Sequence, residues 1–239
     1  MKKIVIKGII ENSLLDWEGK IVSTLYVPHC DFRCPYCQNA GMVLNPDQYE
    51  TIPWQTIKDF LLRQKGWLDG ICLTGGEPCL FDDLPEFIRK VRDLGFMVKL
   101  DTNGSFPDML KKVIDANLPD YIAMDIKAPL DFSLYSKSAG FQNEEMLKAV
   151  KKSIKLIMES NIDYEFRTTV VPTLHSEEDI KRIAAYIQGA PKYALQNFAP
   201  GGDLLNPKFK EIKPYTEEEL GRIQEAVSSY VGECIVRGV

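Results

Sequence analysis

Three cysteines lie close together in this chain, at Cys30, Cys34 and Cys37, in the pattern C-x3-C-x2-C. Closely spaced thiolates bind zinc or an iron–sulfur cluster. A closed zinc site needs a fourth ligand, and His29 is a poor candidate because consecutive residues chelate one ion badly. Three thiolates can instead hold three irons of a [4Fe–4S] cube and leave the fourth iron open to another molecule. Zinc bound through a distant fourth ligand is the alternative.

Short β-like runs alternate along the chain with segments of helical period. The predicted strands are 21–27, 70–74, 97–101, 120–124, 164–171 and 193–198. Apolar residues spaced three and four apart, as in 84–94, predict helices between them. This βα order, repeated about six times, predicts an α/β fold with a parallel sheet, either barrel-like or doubly wound. We expect one domain over 1–239, with an N-terminal extension (1–20), a core (21–200) and a C-terminal helix and strand (201–239).

Most of the predicted strands are followed by polar or glycine-containing residues. These segments are the cysteine run, Thr74-Gly75-Gly76-Glu77-Pro78, Asp101-Thr102-Asn103-Gly104, Asp125-Ile126-Lys127 and Ala199-Pro200-Gly201-Gly202, and Arg167 lies within the fifth strand. In a parallel α/β barrel, the carboxyl ends of all strands share the face that holds the active site. The sequence therefore predicts that these residues, distant along the chain, lie together at the carboxyl-end opening of the barrel.

Composition excludes several classes of function. The net charge is −5 and no basic stripe is visible, so we expect no nucleic-acid partner. No apolar run approaches the roughly 20 residues that span a bilayer, and Lys7 and Glu11 interrupt the N-terminus where a signal peptide would be apolar. We therefore expect a cytoplasmic protein without a membrane partner. Of the other cysteines, Cys72 is expected to be a buried apolar residue, and Cys79 and Cys234 receive no role.

The cysteine run, with the aromatic Tyr36 just before its last cysteine, resembles the signature of radical S-adenosylmethionine (radical SAM) enzymes. Gly75-Gly76-Glu77-Pro78 resembles their second motif, and together the resemblances span roughly residues 8–200. The resemblance implies a partial TIM-type (βα)6 barrel, a [4Fe–4S] cluster and S-adenosylmethionine (SAM). In these enzymes SAM binds the open iron, and its reductive cleavage yields a 5′-deoxyadenosyl radical that abstracts hydrogen from the substrate.

The same resemblance implies roles for individual residues. Gly75, Gly76 and Glu77 would form the strand edge that bonds the SAM ammonium. Tyr36 would pack near the adenine or fill the cluster loop, and Phe32 would shield the cluster.

Within the superfamily, the chain resembles the activases of glycyl radical enzymes. Asp101-Thr102-Asn103-Gly104 and Met124-Asp125-Ile126-Lys127 carry this resemblance, and 13–19 resembles a shorter N-terminal motif. Activases of this type place Asp101, Thr102 and Asp125 around a monovalent cation beside SAM. Asn103 is then also expected at the cofactor, Lys127 would meet the SAM carboxylate, and Arg167 would contact SAM or the substrate.

The pattern CDFRCPYCQN, and the absence of cysteines from 38–71, are most similar to the short activating proteins of anaerobic ribonucleoside-triphosphate reductase. The implied substrate is the Cα–H of one glycine in that partner, and the implied electron donor is a flavodoxin or ferredoxin. The alternatives are an activase of pyruvate formate-lyase or a related lyase, a radical SAM enzyme with a small-molecule substrate, and a non-enzymatic zinc-binding interaction module.

Overall fold

The computed structural model describes residues 2–238, which contain one eight-stranded sheet in the order β1 to β8. β1 pairs antiparallel with β2, and every later neighbour is parallel. The strands are β1 (Gly8–Ser13), β2 (Val22–Val27), β3 (Gly70–Gly75), β4 (Met97–Thr102), β5 (Tyr121–Asp125), β6 (Asp163–Val170), β7 (Lys192–Asn197) and β8 (Glu233–Arg237). Side chains from β2 to β7 line a common cavity, so the sheet curves into a partial barrel.

Helices connect successive parallel strands and cover the outside of the sheet. They are α1 (Ala40–Leu44), α2 (Trp54–Arg63), α3 (Leu84–Asp93), α4 (Pro107–Asp115), α5 (Phe132–Ala139), α6 (Glu144–Met158), α7 (Glu177–Tyr186) and α8 (Glu217–Val227). Local sequence sets several of their starts. Proline occupies the first turn of α4, and Thr216 and Glu219 form a reciprocal capping box at α8.

Each central strand is buried on both faces, but the two faces differ in chemistry. In β4, Val98 and Leu100 are fully buried in the apolar core. Lys99 and Asp101 alternate with them and are also buried, but they contact other charged groups. Because successive side chains of a strand point to opposite faces, the apolar set packs under the helices and the charged set fills the barrel.

The loop between β1 and β2 closes the end of the barrel opposite the carboxyl ends of the strands. Trp17 is buried there against Val22 and Cys72, and its ring lies 5.8 Å from that of Tyr121. Cys72 is fully buried, as predicted. The predicted α/β fold with a parallel sheet is confirmed, and β8 adds a seventh parallel strand to the six predicted βα strands. No helix in the part of the chain that the structure describes is both long and apolar enough to cross a membrane.

Candidate active site

The carboxyl ends of the parallel strands surround an open cavity of about 400 Å³. It gathers residues that the sequence places far apart. The predicted site residues that line it are Cys30, Cys34, Tyr36, Cys37, Gly75, Gly76, Asp101, Thr102, Asn103, Asp125, Lys127 and Arg167. Glu77 is the one predicted site residue outside this lining.

The three cysteines sit on the cluster loop, residues 28–39, which joins β2 to α1. The loop is held by backbone hydrogen bonds, from Arg33 N–H to the Ala139 carbonyl at 2.8 Å and from Leu205 N–H to the Cys37 carbonyl at 3.0 Å. Burial raises the pKa of all three thiols, that of Cys34 to about 12. Without a metal these thiols are therefore neutral, and metal binding would release their protons.

Two N–H groups approach the sulfur of Cys30. The backbone N–H of Phe32 lies 3.4 Å from Cys30 Sγ, and Nδ2 of Asn103 lies 3.5 Å from it. These donors suit a metal-bound thiolate, which accepts hydrogen bonds. No three His, Cys, Asp or Glu side chains within residues 2–238 converge on a single ion. In a [4Fe–4S] site each of the three cysteines would bind a different iron, so their sulfurs need not converge on one point.

Gly75 and Gly76 allow the end of β3 to pack directly on the cluster loop. Gly76 N–H donates to the Val27 carbonyl and Glu77 N–H to the His29 carbonyl, each at 2.8 Å. A Cβ on Gly76 would overlap the carbonyl oxygen of His29, and Gly75 has a φ of +115°, which favours glycine. The sequence suggested that these glycines admit a ligand; the close contact in the structure is with the chain's own backbone.

Glu77 is fully buried behind the cavity wall and joins the ends of β3 and β4. Its carboxylate accepts hydrogen bonds from Cys79 N–H at 2.9 Å, Thr102 Oγ1 at 2.8 Å and Asn103 N–H at 2.7 Å. Burial raises the pKa of Glu77 to about 7, and the three donors oppose that rise. In this geometry Glu77 orders the loop after β4 and does not face the cavity.

A row of alternating charges crosses the cavity wall. Arg167 donates from Nη1 to Asp101 Oδ2 at 3.0 Å and from Nε to Asp125 Oδ1 at 2.8 Å. Lys127 Nζ donates to the other oxygen of Asp125 at 2.9 Å, and Lys99 Nζ lies 3.0 Å from Asp101 Oδ1. Each carboxylate is thus held between two cations.

The same row of charges explains the shifted pKa values of Asp101, Asp125 and Lys127. Burial opposes ionisation of Asp101 and Asp125, but the guanidinium of Arg167 and the lysine beside each carboxylate hold both pKa values below the ordinary value. Burial likewise opposes the charge of Lys127, and Asp125 raises its pKa well above the usual value. Asp101, Asp125, Lys127 and Arg167 are therefore charged at neutral pH.

The monovalent-cation site at Asp101, Thr102 and Asp125 stays a prediction. In the structure these three side chains do not point toward a common centre. The guanidinium of Arg167 lies between Asp101 and Asp125. Thr102 turns away, since its hydroxyl donates to Glu77 and accepts from Gly104 N–H at 3.1 Å.

Aromatic side chains bound the cluster loop. Phe32 is buried and packs on Tyr135 and Phe141, with ring centroids 6.4 and 5.2 Å away. Tyr36 is buried as well, and its hydroxyl has no hydrogen-bond partner in the described chain. Tyr36 lines the cavity, but its hydroxyl oxygen is buried in the wall.

Sequence reasoning missed several cavity residues, including Asp16, Tyr26 and Gln196. It also missed that Lys99 and Glu165 continue the row of charges inside the barrel, with Glu165 bonded to Arg237 at 2.9 and 2.8 Å. The sequence did contain a signal for these charges. In β4 and β6, charged residues alternate with apolar ones, although both strands lie at the centre of the sheet.

Comparison with known proteins agrees with this geometry. The sequence model of the Radical SAM superfamily matches residues 24–187, so the chain belongs to that superfamily. A protein of Methanocaldococcus jannaschii, provisionally named glycyl-radical enzyme activating enzyme MJ1227, is 32% identical over 99% of this chain and 97% of its own length. Another protein of that organism, MJ1632, has the same provisional name and is 28% identical over 87% of this chain and 77% of its own length.

A solved structure shows the same fold. Streptococcus suis SuiB, crystallised with S-adenosylmethionine, superposes with a TM-score of 0.64 at 16% identity. The match covers 88% of this chain and 48% of SuiB, so this chain spans about half the length of that protein. At this identity the likeness concerns the fold alone.

Membership in the superfamily makes this chain an enzyme that uses a [4Fe–4S] cluster and SAM. The residues present fit both groups. The three cysteines line one cavity, and the N–H groups of Phe32 and of the Asn103 side chain lie near the sulfur of Cys30. The cavity has the volume of a small-molecule site, and its lining offers carboxylates and cations to a zwitterionic nucleoside.

Proposed function

We propose that this chain is a glycyl-radical-enzyme activase whose partner is an anaerobic ribonucleoside-triphosphate reductase. The observation that carries the activase is the likeness to MJ1227, which extends over nearly the full length of both chains. The partner rests on the resemblance of the cysteine motif and on the absence of cysteines from 38–71. When bound and reduced, the cluster together with SAM supplies a 5′-deoxyadenosyl radical that takes a hydrogen atom from the substrate.

The chain's own residues bind and orient SAM in this proposal. Cys30, Cys34 and Cys37 hold three irons. Lys127 binds the SAM carboxylate, and it is suitably placed because its ammonium borders the cavity while Asp125 keeps it charged. Arg167 then orders Asp125 from the other side, and it contacts SAM or the substrate peptide through its remaining N–H groups.

Other residues keep solvent from the reacting centre. The buried rings of Phe32 and Tyr36 pack at the cluster loop, where they would shield a bound cluster from solvent on that side. The cavity nevertheless opens to solvent at the carboxyl ends of the strands, where an extended peptide can enter. We infer that the glycine of the partner reaches the site through this mouth, and that a flavodoxin or ferredoxin supplies the electron.

The test combines anaerobically reconstituted protein, SAM, a chemical reductant and candidate partners. We expect a glycyl-radical signal by electron paramagnetic resonance with the reductase and none with pyruvate formate-lyase. Cys34→Ser should abolish the signal, whereas Gln55→Leu, which alters an exposed amide on α2, should leave it unchanged.

The other outcomes separate the alternatives. A signal with pyruvate formate-lyase alone would reassign the partner. Formation of 5′-deoxyadenosine only when a small molecule is added would contradict the activase and favour a small-molecule substrate.

A further inference from the structure

The amide of Asn103 is fixed in one orientation beside Cys30. Its Oδ1 accepts hydrogen bonds from Ser105 N–H at 2.8 Å and from Ser105 Oγ at 2.5 Å. The backbone N–H of Asn103 donates to Glu77 at 2.7 Å, which fixes the main chain at the same point. Because two donors face the amide oxygen, the NH₂ group must point the other way.

That NH₂ group has two acceptors in front of it. Nδ2 lies 3.5 Å from Cys30 Sγ and 3.0 Å from Asp31 Oδ1. An NH₂ group has two hydrogens, so it can donate to both at once. Asp31 itself stands next to the sulfur, with Oδ1 3.9 Å from Cys30 Sγ. Asn103 thus donates to the thiolate and also binds the carboxylate beside it.

Both contacts affect how well the protein stabilises the charge of the reduced cluster. Reduction by one electron places additional negative charge on the irons and their sulfur ligands. Hydrogen bonds to cysteine sulfur and the local net charge are among the factors that set the reduction potential of an iron–sulfur cluster. A donor at Cys30 stabilises the reduced state and raises the potential, whereas the carboxylate of Asp31 disfavours that state.

We propose that Asn103 is a positioning residue that raises the reduction potential of the cluster by hydrogen bonding to Cys30 and by binding the carboxylate of Asp31. Ser105 acts through it by holding the amide in the donating orientation. The inference rests on the cluster of the superfamily and not on the identity of the partner protein, so it can fail or succeed independently of the proposed function.

The test is an anaerobic redox titration of reconstituted protein, followed by electron paramagnetic resonance of the reduced cluster. Asn103→Leu keeps the size of the side chain and removes the donors. We expect about a tenfold smaller ratio of reduced to oxidised cluster at a fixed potential, which is about 59 mV for one electron. Asp31→Asn should shift the potential in the opposite direction, and Ser105→Ala should produce a smaller decrease than Asn103→Leu.

Iron content and melting temperature are measured for every variant. Gln55→Leu is the matched control, because its amide also bonds a carboxylate, that of Asp59, but on the exposed face of α2. A wild-type potential in fully loaded Asn103→Leu would overturn the proposal. If Asn103→Leu fails to retain iron, Ser105→Ala and Asp31→Asn decide. Shifts of opposite sign support the inference, and shifts of the same sign or no shift at all overturn it.

Discussion

Gly76 shows how little space separates the second motif from the cluster loop. Its N–H bonds the carbonyl of Val27, and the position that a Cβ would occupy is filled by the carbonyl of His29. A side chain here must therefore displace the backbone one residue before the first cluster cysteine. The glycine is required by contact within the chain, whatever it also does for a ligand.

Replacing Gly76 with alanine should push the cluster loop away from β3. We expect the unfolding free energy to fall by about 3 kcal/mol, the upper end of overpacking costs, and the iron content after reconstitution to fall with it. Chemical denaturation and iron analysis measure the two effects. Gly201→Ala is the control, because nothing lies within 4 Å of the position that a Cβ would take there. Equal iron retention in both variants would contradict this reading.

Arg167 is the counter-charge that the buried carboxylate of Asp101 shares with the partly buried carboxylate of Asp125. Replacing it with methionine leaves Asp101 and Asp125 without their shared counter-charge in a buried setting. We expect a loss of about 3–5 kcal/mol of unfolding free energy, as for other buried ion pairs that lose one partner. The control is Arg182→Met on the solvent-facing side of α7. Its pair with Asp179 spans 3.8 Å and should contribute about 1 kcal/mol or less. Urea denaturation of both variants makes the comparison, and similar losses would count against a buried, coupled row.

At the scale of elements, His175 connects the loop before α7 to the loop after β5. Val171 N–H donates to Nδ1 at 3.0 Å, so the proton of the neutral ring is on Nε2, which donates to the Lys127 carbonyl at 2.8 Å. His175 lies in a loop and is nevertheless fully buried. The ring thereby positions the backbone of a residue that faces the cavity.

Burial lowers the pKa of His175, and this has a consequence with a definite sign. The unfolded chain binds a proton near pH 6.5, whereas the folded chain binds it only at a lower pH, so stability is lost as pH falls below 6.5. Between pH 7.5 and 5.5 the wild type should lose about 1 kcal/mol more than His175→Gln, which has no titrating ring. Denaturation at both pH values measures the difference. Gln55→Leu, which removes no titrating group, should keep the wild-type dependence, and a variant of His175 that also kept it would refute the assignment.

At the scale of the whole molecule, the sheet is an open barrel whose edge strands are less protected than its central strands. β1 and β8 lie at its edges and each pairs with a single neighbour in the described chain, whereas β4 and β5 are bonded on both sides and covered by helices. Stability within a protein follows such differences, from fraying edges to core strands that open only globally. The cluster loop follows β2, between an edge strand and the protected centre.

Hydrogen exchange should follow this gradient. We expect the amides of β4 and β5 to exchange most slowly and those of β1 most rapidly among the strands, because β1 can separate from β2 without disrupting the centre. Mass spectrometry of peptides covering 8–13 and 97–102 provides the measurement. Protection of β1 equal to that of β4 would show that the edge opens only with the whole domain.

The sequence by itself determined the chemistry that depends on neighbours along the chain. The three cysteines share one short loop, so their spacing along the chain alone keeps them close together. The helix starts at Pro107 and Thr216 likewise depend only on residues a few positions apart. The parallel sheet was also predictable, because hydrophobic periodicity and element order restrict the topology.

Only the tertiary structure decided which charges meet. Asp101 and Arg167 are 66 residues apart, and their contact depends on the register and curvature of three strands. The direction of Glu77, which turns into the core while its neighbours Gly75 and Gly76 line the cavity, depends on donors supplied by β4 and the loops beside it. Such contacts follow from the packing of the whole sheet, which no local pattern of residues encodes.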